Sequence, residues 1–450
     1  MTQQDNATQE KTLLIVGAGG FIGGFIARRA LELGYNTWVG VRASTSRRYL
    51  NDPRLHFVVL DYDSQESVAA TLAAQAPGGR WQYIIWNLGA TKCANFMDFN
   101  RINYQYFTDF AEVLRRDGRL PDKLLYMSSL SALGPAEEDS GHPLDDTTIP
   151  QPNTRYGVSK IKSETYLDTH PDVPWIVFRP TGVYGPHEKD YLMMIKSIDA
   201  HWDFAVGYKR QMLTFIYVDD LVQAMFDAIA APAQKVLHHK YIISEDRSYS
   251  QKEFRQIVAR HLHRRAIIPI CLPMWAVYAA SVVAEKIGVA RGKASTLNRD
   301  KFKIMRQRNW TCDITPAQRD FGFKPQFSLD RGIEATVAAY LEAKKQSKKA
   351  QEMNDTPRQP RPWWLTLLCL FVALSGIAGP VLTLASATDS PLRPLMWAFP
   401  AYTAATAVCA WICWEQRKET AWILIAVAIL ATVAISMAAT LQPTAIYSGK

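Results

Sequence analysis

A glycine loop directly behind a short apolar segment constrains the fold of this chain more than any other feature. Residues 12–16 are an apolar run, and the segment 17–23, with the sequence GAGGFIG, follows at once. The apolar side chains after it recur with helical periodicity. A strand that ends in glycines and opens a helix is typical of the first βα turn of a sheet domain that binds a phosphate-bearing ligand. Gly17, Gly20 and Gly23 let the backbone approach such a ligand, and the helix N-terminus offers it free N–H groups.

Short apolar strands alternate with helical stretches along the first part of the chain. Further strands are predicted at 36–41, 56–60, 83–86, 123–127 and 175–178, and helices at 21–33, 64–76, 101–116 and 156–169. Because these strands are almost wholly apolar, both faces of their sheet must be covered, as in a parallel sheet. The pattern predicts one doubly wound α/β domain of the Rossmann type over 12–341. Nucleotide binding is expected mainly within 12–180, and the less regular residues 181–335 predict a smaller substrate lobe interleaved with the sheet.

The two ends of the chain differ from this domain. Three runs without charged residues, at 363–387, 396–414 and 421–441, are each long enough to cross about 30 Å of hydrocarbon. Tryptophans at their ends and a basic linker at 342–362 favour transmembrane helices over buried core helices. The sequence therefore predicts a multi-pass protein of a bacterial inner membrane with its catalytic domain in the cytoplasm. Residues 1–11 are polar and predict a disordered N-terminus rather than a signal peptide.

Charge and cysteine content argue against two classes of site. The net charge of +9 does not indicate a nucleic-acid partner, because much of the excess lies in the linker beside the apolar runs. The six cysteines form no CxxC pair and no His/Cys spacing typical of zinc, so we expect reduced thiols and no metal.

The loops after the predicted strands indicate the cofactor. After the second strand an acidic residue would bond to a ribose 2′-hydroxyl, whereas this chain has Arg42, followed by hydroxyl-bearing and basic residues up to Arg48. Such a loop suits a 2′-phosphate and favours NADP over NAD, although a solvated surface loop would have the same composition. Asp61 follows the third strand, where a carboxylate accepts from an adenine amino group. The other predicted contacts are Phe21 and Ile22 in the glycine loop, Tyr62 beside Asp61, and Asn87 and Gly89 on the nicotinamide side.

Tyr156 and Lys160 carry the strongest chemical signal. They are four residues apart and share a helical face. A tyrosine hydroxyl with a pKa of about 10 is a poor base at neutral pH, but a neighbouring ammonium stabilises the phenolate and lowers that pKa. The phenol can then exchange a proton with a substrate oxygen as a hydride moves, while Ser129 holds that oxygen. An isolated pair of this kind is usually a surface feature, and the glycine loop and the strand before Ser129 favour catalysis.

Together these motifs resemble an extended short-chain dehydrogenase/reductase of the NAD-dependent epimerase/dehydratase and 3β-hydroxysteroid dehydrogenase group. The resemblance rests on GAGGFIG at 17–23, YMSS at 126–129, YGVSK at 156–160, RPTGVYGP at 179–186 and TFIYVDD at 214–220. It implies that Ser129 rather than Ser128 is the catalytic serine and that Pro180 packs on the nicotinamide. It further implies that Asn103 belongs to the helix beneath the site, in a structural or proton-relay role. Members of the group commonly form homodimers through two helices of the sheet domain.

Two enzymatic functions fit the sequence. The first is a membrane-anchored NADP-dependent oxidoreductase acting on a lipophilic alcohol or ketone. The apolar runs and Arg42 favour it. So does the weakly polar stretch 267–289, which is either a segment that dips into the membrane interface or a core helix.

The second is an NAD-dependent nucleotide-sugar epimerase that retains its cofactor. Its diphosphate would need basic groups, for which the candidates are Lys189, Lys196, Lys209 and Arg210. Dehydration is disfavoured, because Leu130 and Ser131 stand where a dehydratase usually has an acid pair. A complete Ser-Tyr-Lys set argues against a non-enzymatic nucleotide sensor.

Overall fold

The computed structural model describes residues 11–138 and 142–354. The chain divides into two units after Lys348, and the described residues belong to the first except for 349–354, which extend its last helix. Nearly all of the predicted disordered N-terminus, the later part of the linker and the three apolar runs at 363–387, 396–414 and 421–441 lie outside the described residues. Within the described ranges, no helix is both long and apolar enough to cross a membrane.

The first unit contains the following elements. Its strands are β1 (Thr12–Val16), β2 (Asn36–Val41), β3 (His56–Val59), β4 (Tyr83–Trp86), β5 (Lys123–Met127), β6 (Trp175–Pro180), β7 (Gly182–Tyr184), β8 (Trp202–Val206), β9 (Met212–Tyr217), β10 (His239–Ile243), β11 (Ser248–Ser250) and β12 (Ile268–Leu272). Its helices are α1 (Phe21–Glu32), α2 (Gln65–Gln75), α3 (Phe96–Asn100), α4 (Tyr106–Arg116), α5 (Arg155–Asp168), α6 (Asp190–Asp199), α7 (Val218–Ala230), α8 (Ala233–Val236), α9 (Gln251–His261), α10 (Met274–Ala290), α11 (Arg299–Arg306), α12 (Thr315–Phe321) and α13 (Leu329–Asn354).

A seven-stranded parallel sheet forms the centre of the unit, in the order β10-β6-β5-β4-β1-β2-β3. Successive side chains of β1 enter two different cores. Leu13 and Ile15 pack with α1 and α7 on one face, and Leu14 and Val16 pack with α4 on the other. All four are fully buried, because helices cover the sheet on both sides. The predicted doubly wound α/β domain is therefore confirmed.

Two differences from the predicted elements have local causes. The helix predicted from residue 101 begins earlier, with α3, because the Asn95 side chain accepts a hydrogen bond from the Met97 N–H at 3.1 Å and caps it. A π-helical turn at Arg101–Gln105 then joins α3 to α4. At the other end, α13 runs on to Asn354, so the first part of the predicted linker is helical. Its alanines, lysines and glutamates are strong helix formers.

Two small sheets and a separate core make up the substrate lobe. One sheet has the order β11-β9-β7, and the other pairs β12 with β8. The core of the lobe is largely aromatic and includes Tyr184, Phe215 and Phe254, against which α13 packs through Ile333.

Candidate active site

A cavity of about 1310 Å³ runs from the carboxyl ends of the central strands into the substrate lobe. The strands β1 to β6 each contribute residues that follow them, because parallel strands all end at the same edge of the sheet. Many of the residues that were predicted as cofactor contacts or as catalytic lie in its wall. They are Gly17, Gly20, Phe21, Ile22, Arg42, Tyr62, Asn87, Gly89, Ser129, Tyr156, Lys160 and Pro180.

The three predicted glycines have different roles in the glycine loop. Gly17 has a positive φ of 84°, and a Cβ there would lie 2.7 Å from the Leu88 Cα atom. Gly20 is the N-cap of α1 and has open space around it, with the Gly17 carbonyl oxygen 3.6 Å from its would-be Cβ. Gly23 does not line the cavity. Its would-be Cβ lies 2.6 Å from Ala18, so Gly23 permits close packing of α1 on the loop rather than contact with a ligand.

The loop after β2 folds into a turn beside the glycine loop. The Arg42 N–H donates to the Thr45 hydroxyl at 3.1 Å, and the Thr45 N–H donates back to the Arg42 carbonyl at 2.9 Å. Arg42, Thr45 and the serines around Thr45 line the cavity. Arg47 and Arg48 do not, because their guanidinium groups lie over the rings of Phe57 and Tyr49. Arg42 is thus the arginine of this loop that faces the cavity.

Besides Gly23, two further predicted cofactor contacts, Asp61 and Asn103, lie outside the cavity wall. Asp61 is exposed, and its carboxylate accepts from the Asp63 N–H at 3.2 Å. Asn103 is fully buried, and its side-chain amide accepts from the Ala90 N–H at 2.7 Å and donates to the Ala90 carbonyl and to the Ser159 hydroxyl. Asn103 therefore ties the loop after β4 to α5, which agrees with the structural one of its two predicted roles.

Tyr62 supports the presence of a ligand at this end of the cavity. Its hydroxyl is buried and has no hydrogen-bond partner among the described residues. Burial raises the pKa of Tyr62, although the Arg42 guanidinium opposes the rise. Buried hydroxyls in proteins are normally paired, so this group and Arg42 together suit a polar ligand such as a nucleotide. The open glycine loop and the unpaired Tyr62 hydroxyl therefore fit NAD(P).

The two serines after β5 have different partners. Ser128 is buried and donates to the Glu164 carboxylate, which also pairs with the buried Arg179. Ser129 instead accepts from the Ser131 N–H at 3.2 Å and is hydrogen-bonded to Tyr156. Ser128 thus belongs to a buried charge network beneath the sheet edge, and Ser129 is the serine in contact with Tyr156.

Burial dominates the electrostatics of Tyr156 and Lys160. It raises the pKa of Tyr156 to about 12, and the hydrogen bond with Ser129 opposes this rise. It also lowers the pKa of Lys160 to about 7, against the effect of Glu164. The Lys160 ammonium donates to the Met127 carbonyl at 2.7 Å and lies over the Tyr126 ring. The predicted lowering of the Tyr156 pKa by Lys160 is therefore absent from this arrangement, in which the lysine binds a carbonyl and desolvation outweighs the hydrogen bond.

The substrate side of the cavity combines many apolar side chains with polar ones such as Glu188, Asp203 and Asp300. Its wall includes Met193, Met194, Phe204, Val206, Leu213, Phe254, Ile304 and Met305. Two lysines also line it, and both pair with one carboxylate. Lys92 binds one oxygen of Asp190, and Lys301 binds the other at 3.1 Å. None of the four basic residues predicted to hold a diphosphate (Lys189, Lys196, Lys209 and Arg210) lines the cavity.

Sequence reasoning missed the Lys92–Asp190–Lys301 cluster. Asp190 is 98 residues from Lys92 and 111 residues from Lys301 along the chain. No local spacing or periodicity marks such a set, because the tertiary fold alone brings its members together.

Comparison with known proteins decides the family. The profile of the NAD dependent epimerase/dehydratase family matches residues 13–244, just over half of the chain. The chain belongs to this family. It is an NAD(P)-dependent oxidoreductase, and the matched range includes the glycine loop, Ser129, Tyr156 and Lys160.

The similar proteins include one uncharacterized protein and enzymes with different named activities. The uncharacterized protein y4nL of Sinorhizobium fredii is 23% identical over 349 residues, covering 72% of this chain and 94% of that protein. The 3β-hydroxysteroid-dehydrogenase/decarboxylase isoform 1 of Arabidopsis thaliana is 23% identical over 266 residues, or 54% of this chain and 60% of the plant protein. UDP-glucose 4-epimerase of Vibrio cholerae is 24% identical over 216 residues, or 46% of this chain and 57% of the epimerase.

Solved structures share the fold. UDP-glucose 4-epimerase of Thermotoga maritima, solved with UDP-glucose, has a TM-score of 0.59 at 18% identity and covers 74% of this chain and 99% of its own. The Thermus thermophilus UDP-glucose 4-epimerase, solved with NAD, has a TM-score of 0.59 at 17% identity, with the same coverage. At these identities the likeness concerns the architecture alone.

Proposed function

We propose that this enzyme is a membrane-anchored, NADP-dependent oxidoreductase that interconverts a carbonyl and a hydroxyl group on a lipophilic substrate. The observation that carries the proposal is the apolar wall of the cavity beside Ser129 and Tyr156. A wall of methionine, leucine and phenylalanine side chains stabilises an apolar molecule by removing its surface from water.

The catalytic residues would move one proton. With a pKa of about 12, the Tyr156 hydroxyl keeps its proton at neutral pH, so it is ready to donate to a carbonyl oxygen. Ser129 would hold that oxygen beside the phenol. The glycine loop and Pro180 would hold NADPH, which would supply the hydride. After proton transfer, Lys160 in its charged ammonium form would stabilise the Tyr156 phenolate.

The preference for NADP rests on the loop after β2. Arg42 lines the cavity together with the hydroxyl groups of Ser44, Thr45 and Ser46. A guanidinium and several hydroxyls suit a phosphate, whereas a bare ribose is usually held by an acidic residue. Asp61, the acidic residue that follows the third strand, lies outside the cavity wall.

Two features support a site beside a bilayer. The predicted transmembrane runs would hold the domain there. In addition, α10 has an exposed apolar face, with Trp275 at 75% exposure and with Tyr278, Val283, Ile287 and Val289 also exposed. Lys286, Arg291 and Lys293 are exposed at its C-terminal end. Exposed apolar side chains with basic neighbours are typical of a helix that rests on an anionic membrane surface.

Nucleotide-sugar epimerisation is the second candidate, and the Lys92–Asp190–Lys301 cluster favours it. These lysines have N–H donors beyond those bound to Asp190, and a diphosphate would use such donors. An epimerase would also fit the UDP-glucose 4-epimerases among the relatives.

A paired assay separates the two candidates. The full chain in mild detergent is given NADPH and a panel of steroid and long-chain ketones, and NADPH oxidation is followed at neutral pH. A parallel sample receives UDP-glucose without added cofactor and is analysed for UDP-galactose. The proposal predicts oxidation of NADPH with at least one ketone, absent in Tyr156→Phe, and no change in UDP-glucose. Conversion of UDP-glucose without added cofactor would contradict it.

A further inference from the structure

The start of the catalytic helix α5 is held by side chains from the substrate lobe. Its first backbone donor, the Arg155 N–H, donates to the Asp300 carboxylate of α11 at 2.9 Å. Its own N-cap, Thr154, accepts from the Gly157 N–H at 3.0 Å. The N–H groups of a first helical turn lack partners within the helix, and a carboxylate at this end also interacts favourably with the helix dipole. Asp300 therefore supplies, from 145 positions away along the chain, a bond that a local cap usually provides.

A second carboxylate contacts the same helix start. Glu285, on α10, accepts from the Arg155 guanidinium at 3.2 Å and from the Arg299 N–H and guanidinium at about 3.0 Å. Its side chain is only 17% exposed, and the hydrogen bonds from Arg299 hold the pKa of Glu285 well below its usual range, at about 2. Glu285 thus joins α10, the first residue of α11 and the first residue of α5. On the other side of Thr154, the Lys303 ammonium donates to the Asn153 carbonyl at 2.8 Å.

The catalytic tyrosine directly follows the residue held in this way. Tyr156 is the second residue of α5, and its hydroxyl must lie beside Ser129 for the proton to move. On its opposite side the helix start has no spare room, because a Cβ on Gly157 would lie 2.2 Å from the Ser131 carbonyl oxygen. Packing against Ser131 thus limits movement of the helix start, and the hydrogen bonds that Asp300 and Glu285 accept from Arg155 limit it further.

We propose that Asp300 and Glu285 are positioning residues for Tyr156. They act through Arg155 and keep the first turn of α5 in the place where the phenol meets Ser129. The proposal rests on only one element of the proposed function, proton exchange by Tyr156, and it does not depend on which substrate the cavity takes. Glu285 lies outside the wall of the large cavity, so an effect of changing it cannot come from lost contact with a substrate there.

Hydrogen–deuterium exchange of the full chain in detergent tests the geometry without any substrate. We expect faster exchange in peptides covering 153–160 for Asp300→Ala and Glu285→Ala, and exchange close to wild type for Asp300→Asn, which keeps an acceptor oxygen. Arg306→Ala, an exposed position on the same helix, is the matched control and should leave these peptides unchanged. If Asp300→Ala is recovered unfolded, Glu285→Ala provides the same comparison.

Turnover of any substrate found for the wild type provides the second arm. We expect kcat to fall about 10- to 100-fold in both alanine variants, since a small displacement of a reacting group has effects of this size, while KM for NADPH changes by less than about threefold. Asp300→Asn should recover most of kcat. Unchanged exchange at 153–160 in the alanine variants would overturn the proposal. Faster exchange with unchanged kcat would overturn it as well, because the contacts would then hold the helix without serving Tyr156.

Discussion

The nucleotide side and the substrate side of the cavity differ in how their residues are held. On the nucleotide side the wall is formed by short loops that directly follow buried strands, so each side chain is placed by its own neighbours in sequence. On the substrate side Lys92, Asp190 and Lys301 meet from three distant segments. Local sequence thus places most residues of the nucleotide side, whereas the arrangement of the substrate side depends on tertiary packing. Substitutions on the nucleotide side should accordingly each have a large effect on one property, such as turnover, cofactor binding or stability. Substitutions on the substrate side should have smaller effects on KM for the substrate.

The largest effect is expected at Tyr156. Tyr156→Phe keeps the ring and removes only the hydroxyl, so kcat should fall by roughly 10² to 10⁴. Thermal unfolding and NADPH binding should remain as in the wild type, which fluorescence titration can establish. Turnover at the wild-type rate would show that the proton comes from another group.

Two glycines of the same loop should separate stability from binding. Gly17→Ala places a Cβ 2.7 Å from backbone atoms of Leu88 at a positive φ, so we expect a clear loss of thermal stability. Gly20→Ala has room within the protein but reduces the space for a pyrophosphate. It should keep its melting temperature and bind NADPH about tenfold more weakly or worse. Wild-type NADPH affinity in Gly20→Ala would place the pyrophosphate elsewhere.

Arg42 should determine the choice of nicotinamide cofactor. In Arg42→Ala we expect the Kd of NADPH to rise about tenfold and that of NADH to remain unchanged, because only the former has a 2′-phosphate to lose a charged partner. Arg47→Ala is the matched control, since Arg47 lies over the Phe57 ring rather than in the cavity wall. If Arg42→Ala weakened the binding of NADPH and NADH equally, Arg42 would stabilise the loop without contacting the 2′-phosphate.

Lys160 should oppose stability while serving catalysis. Burial lowers its pKa to about 7, so below that pH folding has to bury a charge that the unfolded chain leaves in water. Lys160→Met should be inactive yet more stable by about 1 kcal/mol or more at pH 7, as for other buried charges replaced by apolar side chains. The stability advantage of Lys160→Met should narrow as the pH rises from 7 towards 10, because removing the proton from Lys160 on folding then costs less free energy. Urea unfolding at several pH values measures it, and a variant less stable at every pH would contradict the account.

The smallest effect is expected on the substrate side. Met194→Ser removes one apolar contact from a wall that has many, so KM for a lipophilic substrate should rise about three- to tenfold with NADPH binding unchanged. Steady-state kinetics with two substrates of different chain length would check this. A lower KM would indicate that the wall prefers polar molecules.

The same contrast explains what could be predicted from the sequence. The strands and the helices between them were predictable because periodicity and short motifs encode them locally. Three residues that were predicted to contact the cofactor have other contacts. Gly23 allows α1 to pack on the glycine loop, and Asp61 accepts a hydrogen bond from the N–H of a turn. Asn103 ties α5 to the loop after β4. A motif gives a residue's position along the chain but not the direction in which its side chain points.

The electrostatics of the site were less predictable still. The prediction of a lowered pKa for Tyr156 took into account the neighbouring charge of Lys160. It did not take into account the burial of both groups, which raises the pKa of the tyrosine. The hydrogen bonds from the Arg155 N–H to Asp300 and from the Lys301 ammonium to Asp190 leave no trace in the sequence either.

The most direct test of the central claim is the nucleotide content of the purified full chain. The protein is isolated in mild detergent and denatured, and any released nucleotide is identified and quantified by mass spectrometry. An enzyme that exchanges its cofactor should release little nucleotide and then bind added NADPH more tightly than NADH. Stoichiometric NAD that survives purification would contradict the account and indicate an internal hydride cycle, as an epimerase requires.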